Sequence, residues 1–138
     1  MIEINNLTKS SIIDKRLLRR IGEKVLKTER PAEEWNVSVV FANKARMAEL
    51  NRIYRGKDES TDVLSFASDN YPEELAGLPR SLGEIIICPS EIRFDKKTGL
   101  PHIFIHGLLH LLGYDHKDQK EAKIMQAKEQ EYLTFFKK

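Results

Sequence analysis

Apolar side chains recur along this chain with two periods, near four and two, and the switches between them mark alternating helices and strands. Ile2 to Asn5 predicts a short first strand. From Ser11, a residue type suited to an N-cap, Ile13, Leu17, Ile21 and Val25 recur at every fourth position with Leu18 beside them. That spacing predicts a helix to about Thr28, with Lys and Arg on its other faces and Pro31 marking its end. Trp35 to Ala42 alternates Val37, Val39 and Phe41 with Asn36 and Ser38, the pattern of a strand with one buried face. Asn43 caps a helix carrying Met47, Leu50 and Ile53, which Gly56 stops. Thr61 to Phe66 predicts a third strand. Leu82 to Cys88, an almost continuous apolar run, predicts a fourth, central one. Between them, Asn70 to Arg80 contains Pro72, Gly77 and Pro79 and reads as a loop. Pro101 suits the first turn of a helix running to about Leu112, with Gly113 placed as its C-cap. A last helix from about Lys117 shows Ile124, Ala127, Tyr132 and Phe135. The expected fold is a single α+β domain over residues 1–138, with a mixed sheet of about four strands packed by about four to five helices.

Composition narrows the class. A chain of 138 residues with 41% apolar and 32% charged side chains has enough apolar material for one core and is not disordered. Its mean hydropathy is −0.46. The longest strongly apolar stretch, Ile103 to Tyr114, falls short of the ~20 residues of a spanning helix, so no membrane association is expected. The N-terminus lacks the basic and apolar regions of a secretory signal. Cys88, alone in the sequence, lies in the run Ile85 to Cys88, where a small buried residue is expected. These features predict a cytoplasmic protein. The net charge of +2 hides an uneven distribution: residues 1–30 hold eight Lys/Arg against four Asp/Glu, residues 31–116 nine against thirteen, and residues 117–138 six against four. On charge alone the basic N-terminal helix reads as a solvated face.

The chemistry lies in the histidines. All four fall at positions 102, 106, 110 and 116. On a helix, His106 and His110 project from one face, so their ring nitrogens can meet one ion at the ~2.1 Å of a Zn–N bond. His102 shares that face, but eight residues at about 1.5 Å each place it too far from His110 to share a metal. It is expected to be an ordinary satisfied histidine. Gly113 turns the chain back, and His116 can then become the third ligand. Three imidazoles leave a coordination position open, as in catalytic rather than structural zinc sites.

The resulting H-x-x-x-H-x-x-G-x-x-H spacing is that of the metzincin proteases, but Gly107 occupies the place of their general-base Glu. Gly107 costs about 1 kcal/mol in a helix relative to Ala. Two readings explain it: close helix packing, or room for substrate above the metal.

His106 to His116 resembles the H-G-x-L-H-L-x-G-Y-D-H signature of the YbeY family of ribosomal RNA maturation endoribonucleases. A second block agrees: Leu50-Asn51, Tyr54-Arg55 and Thr61-Asp62-Val63-Leu64-Ser65-Phe66 are similar to the family pattern, as is Leu82-Gly83-Glu84-Ile85. The chain departs from it at Ala67, where Pro is usual, and at Glu84, where Asp is commoner. The resemblance implies a single-strand-specific, metal-dependent endoribonuclease acting in 16S ribosomal RNA 3′-end maturation and ribosome quality control. Its expected cofactor is one Zn2+ on His106, His110 and His116, and its expected partners are single-stranded RNA, ribosomal RNA and the small ribosomal subunit. Arg55 matches a functionally important arginine of the family. Read alone it is a cation favourable to a helix C-terminus; near an open metal site it becomes a two-point clamp for phosphate, hence catalytic and substrate-binding. Asp115 orients a ligand imidazole, serves as a proton acceptor, or simply accepts turn N–H bonds after Gly113. The polar positions from Thr61 to Ser65 line a cleft or support a core made by Val63, Leu64 and Phe66. Water and the 2′-OH of RNA both remain open as nucleophile. Two rivals are a zinc peptidase, which Gly107 disfavours, and a ribosome assembly factor with a purely structural zinc.

Overall fold

The computed structural model describes residues 1–8, 13–32, 34–67, 80–92 and 96–136. Its elements run β1 (Ile2–Asn6), α1 (Lys15–Glu29), β2 (Trp35–Phe41), α2 (Lys44–Arg55), β3 (Val63–Ala67), β4 (Arg80–Ile87), a 3-10 turn at Pro89–Glu91, α3 (Lys96–Leu111) and α4 (Gln119–Phe136). The four strands form one mixed sheet in the order β1-β2-β4-β3. β1 and β2 are parallel, as are β2 and β4, whereas β3 returns antiparallel along β4, pairing Val63 with Ile87 and Ala67 with Gly83. β4 is therefore central, as its apolar run predicts.

Burial on both sides of the sheet explains that run. Val37, Val39, Phe41, Ile85 and Ile87 point to the main core, where Leu18, Ile21 and Val25 of α1 meet Phe104, Ile105, Leu108 and Leu109 of α3. On the opposite face Ile86, Leu64 and Cys88 pack with Met47 of α2. Fully burying one such aliphatic side chain contributes about 1.5–3 kcal/mol, so this two-sided core fixes the strand register.

Several local expectations are corrected. Asp14 caps α1, accepting from the Leu17 N–H at 3.1 Å; Ser11 lies outside the described residues, as do residues 70–79 of the expected loop. Ile53 is 55% exposed, because Asn51 takes the inward position at that end of α2. α3 begins at Lys96, so Pro101 stands inside it rather than in its first turn. α4 begins at Gln119 and buries Met125, Glu129 and Tyr132, while Ile124 and Phe135 remain exposed. The cations of α1 cover that outer end: Lys24 sits 4.4 Å from the Phe135 ring centroid and Arg20 5.8 Å from that of Phe136.

Candidate active site

α3 is apolar nearly all round and is buried against the sheet, which leaves its histidine stripe facing the space between β3 and α4. It ends at Gly113, whose φ of 103° only glycine adopts readily. The Gly113 N–H reaches the His110 carbonyl at 3.1 Å and the Tyr114 N–H reaches the Leu109 carbonyl at 3.0 Å. These paired bonds define a Schellman turn. The reversal brings His116 back, and one ring nitrogen from each of His106, His110 and His116 lies within 4.8 Å of the others. The Nε2 atoms of His106 and His110 face each other at 3.1 Å, close to the about 3.4 Å between two nitrogens on one tetrahedral zinc.

The protonation pattern suits a cation. Burial alone would raise the Glu129 carboxyl, but hydrogen bonds from His106 and His102 outweigh it and hold the group below its ordinary value. An ionised Glu129 only accepts. His106 therefore donates from Nδ1 at 2.7 Å, with its Nε2 turned towards His110, and His102 donates from Nε2 to the other carboxylate oxygen at 2.8 Å. Burial, followed by the neighbouring His106 and His116, lowers the His110 pKa; Asp115 and the Tyr114 backbone oppose this only in part. Imidazole nitrogens converging on one point are the donor set of a divalent transition metal.

A cavity of about 600 Å³ opens over the triad, lined by His106, His110, His116, Arg55 and the β3 residues Val63 to Ala67. Sequence reasoning names both the triad and Arg55, and the fold brings them to this one cavity. Thr61, Asp62 and Ser65 also line it, as do Val63, Leu64 and Phe66. Leu64 is buried in the α2-side core as well. Asp115 is a turn residue: its Oδ1 accepts the His116 N–H at 2.7 Å, and that bond holds its carboxyl below the ordinary value. Gly107 is explained by packing. A Cβ there would stand 3.0 Å from Ile85 Cγ2 and 3.2 Å from Ser65 Oγ, so any side chain at this position presses on both neighbours.

Residues 3–137 match the family described as Endoribonuclease YbeY. The chain is 40% identical to the Endoribonuclease YbeY of Pelotomaculum thermopropionicum, over 94% of this chain and 93% of that one. It belongs to the YbeY family. The Endoribonuclease YbeY of Bacillus cereus strain G9842 is 38% identical, over 87% of this chain and 85% of the relative. The solution structure of TM1509 from Thermotoga maritima superposes with a TM-score of 0.58 at 32% identity, covering 96% of this chain and 87% of that one.

Three contributors to this YbeY-family site escape sequence reading. Glu129 of α4 holds His106, and Glu29 and Arg30 at the end of α1 hold the turn. Tyr114 donates to Glu29 Oε1 at 2.6 Å, and Arg30 donates to the Leu112 carbonyl at 3.2 Å. Their partners lie 23 to 85 residues away in sequence. The signal available beforehand was a carboxylate at an inward position of α4, which the Ile124, Ala127, Tyr132 and Phe135 pattern obscures.

Proposed function

We propose that this chain is a zinc-dependent endoribonuclease that cuts single-stranded segments of ribosomal RNA. Its role is 16S ribosomal RNA 3′-end maturation and ribosome quality control on the small subunit, in the cytoplasm. The observation that carries the reading is the shared cavity: three imidazole nitrogens converge on one side of it and Arg55 lines it too. A zinc ion on His106, His110 and His116 supplies Lewis-acid chemistry. Arg55 binds the phosphate through two parallel N–H donors and offsets the negative charge that grows on its oxygens during cleavage. Glu129 keeps the His106 ring oriented and its Nδ1 protonated. A peptidase reading is not favoured, because Gly107 stands in the place of the general base and even a Cβ there would press on Ile85 and Ser65.

The test is to incubate metal-loaded protein with labelled single-stranded RNA, duplex RNA and peptides in parallel. Cleavage of single-stranded RNA alone, abolished by chelation, is expected. Cleavage of peptides without cleavage of RNA would overturn the reading.

A further inference from the structure

α2 ends in the sequence Arg52-Ile53-Tyr54-Arg55, followed by Gly56 and Lys57, and all of these residues are exposed. Tyr54, at 63% exposure, is more exposed than Ile53, the other large apolar side chain of this segment, at 55%. It is nevertheless anchored. Its ring packs against Phe66, with centroids 5.0 Å apart and planes tilted by 59°. Phe66 in turn forms part of the wall of the metal-site cavity, which Arg55, the next residue after Tyr54, also lines. An aromatic surface thus runs outward from the cavity to the rim. Arg52, Arg55 and Lys57 belong to the same exposed segment, and none of the three is in an ion pair among the described residues.

We infer that the exposed ring of Tyr54, backed by Phe66, is a stacking platform for one unpaired base of the RNA strand whose phosphate Arg55 holds. The inference rests on the ribonuclease reading above and adds to it a specificity-determining residue. A flat ring already packed on one side has little rotamer freedom left to lose on binding. The cations of this segment attract phosphates without regard to sequence, and the ring offers a surface to any base. Bases inside a duplex are covered on both faces by their neighbours and cannot use such a platform, so Tyr54 favours single strands by its chemistry. A protein partner would also find an apolar rim here, but the cations of this segment, with Arg55 lining the cavity, favour a polyanion.

The test is steady-state cleavage of a short single-stranded RNA by the metal-loaded enzyme, using a set of substrates each lacking one base near the cut. Tyr54→Ala should raise KM about tenfold, the scale of one lost base stack, with metal content unchanged, and Tyr54→Phe should restore wild-type behaviour. One abasic substrate should weaken wild-type binding by a similar factor yet leave Tyr54→Ala no worse than on the intact strand. Wild-type KM in Tyr54→Ala, or losses that multiply at every abasic position, would overturn the inference while leaving the ribonuclease reading intact. A wild type that cuts no RNA defeats that reading itself, and the platform with it.

Discussion

The phenol of Tyr114 meets the carboxylate of Glu29 at 2.6 Å across 85 residues of sequence. Tyr132 of α4 donates to the other carboxylate oxygen at 2.5 Å, and the Lys128 ammonium lies 3.4 Å from the same atom. Glu29 closes α1, and the next residue, Arg30, holds the Leu112 carbonyl. The end of one helix thus grips the Gly113 turn on both sides, and that turn delivers His116.

Glu29→Gln keeps the volume of the side chain but loses its charge, and with it the charge-assisted hydrogen bonds from two phenols. We expect a loss of about 2 kcal/mol in denaturant unfolding, together with metal release at lower chelator concentration. Unchanged values on both measurements would mean that the clasp does not support the site.

The same cluster sets a pH dependence. Burial would raise the Glu29 carboxyl, but the bonds from Tyr114, Tyr132 and Lys128 prevail and leave it below the ordinary 4.5. A depressed folded-state value contributes stability that is present above the unfolded value and lost as pH falls through the folded one. Tyr114 has the opposite sign. The hydrogen bond to Glu29, then burial, push it from 10.0 up to about 12, so its contribution is present below pH 10 and lost between there and about 12. Unfolding free energy measured against pH should fall at both ends, and Glu29→Gln should flatten both limbs.

Metal content should separate the histidines. His110→Ala should lose the ion by elemental analysis, and His102→Ala should retain it. Glu129→Gln should keep a bound metal but weaken it by about 10- to 100-fold in chelator competition, the usual effect of removing a partner that orients a ligand imidazole.

Arg55→Ala should leave metal content and fold unchanged while single-stranded RNA cleavage drops on the order of 100-fold. Arg55→Lys should recover little, since an ammonium lacks the planar two-point geometry. Full cleavage by Arg55→Ala would remove the phosphate clamp from the mechanism.

Gly107→Ala brings a methyl to 3.0 Å from Ile85 on the central strand. The helix gains about 1 kcal/mol in propensity, yet overpacking costs about 1–3 kcal/mol, so a net loss of stability is expected by thermal unfolding. Gly107→Glu should unfold the region rather than create a peptidase.

Periodicity makes most of the fold legible: most strands and helices commit one face to the core, and the two-sided burial of β4 shows as a continuous apolar run. α3 is the exception: its sides are nearly all apolar, so no boundary is marked, and it starts before the proline that suggests its beginning. The triad is legible because its three members lie within one helix and one turn. Glu129, Glu29 and Arg30 are not, because their roles come from helices that meet only after folding.

The groups of α1 and α4 that hold the triad and its turn lie 23 to 85 residues from their partners, and one of the two helices, α4, is synthesised after the ligands themselves. A nascent chain that has reached only His116 carries all three imidazoles, while Glu129, which aims His106, does not yet exist. The order of translation therefore separates possession of the ligands from possession of the site: the carboxylate that aims His106 arrives only with α4.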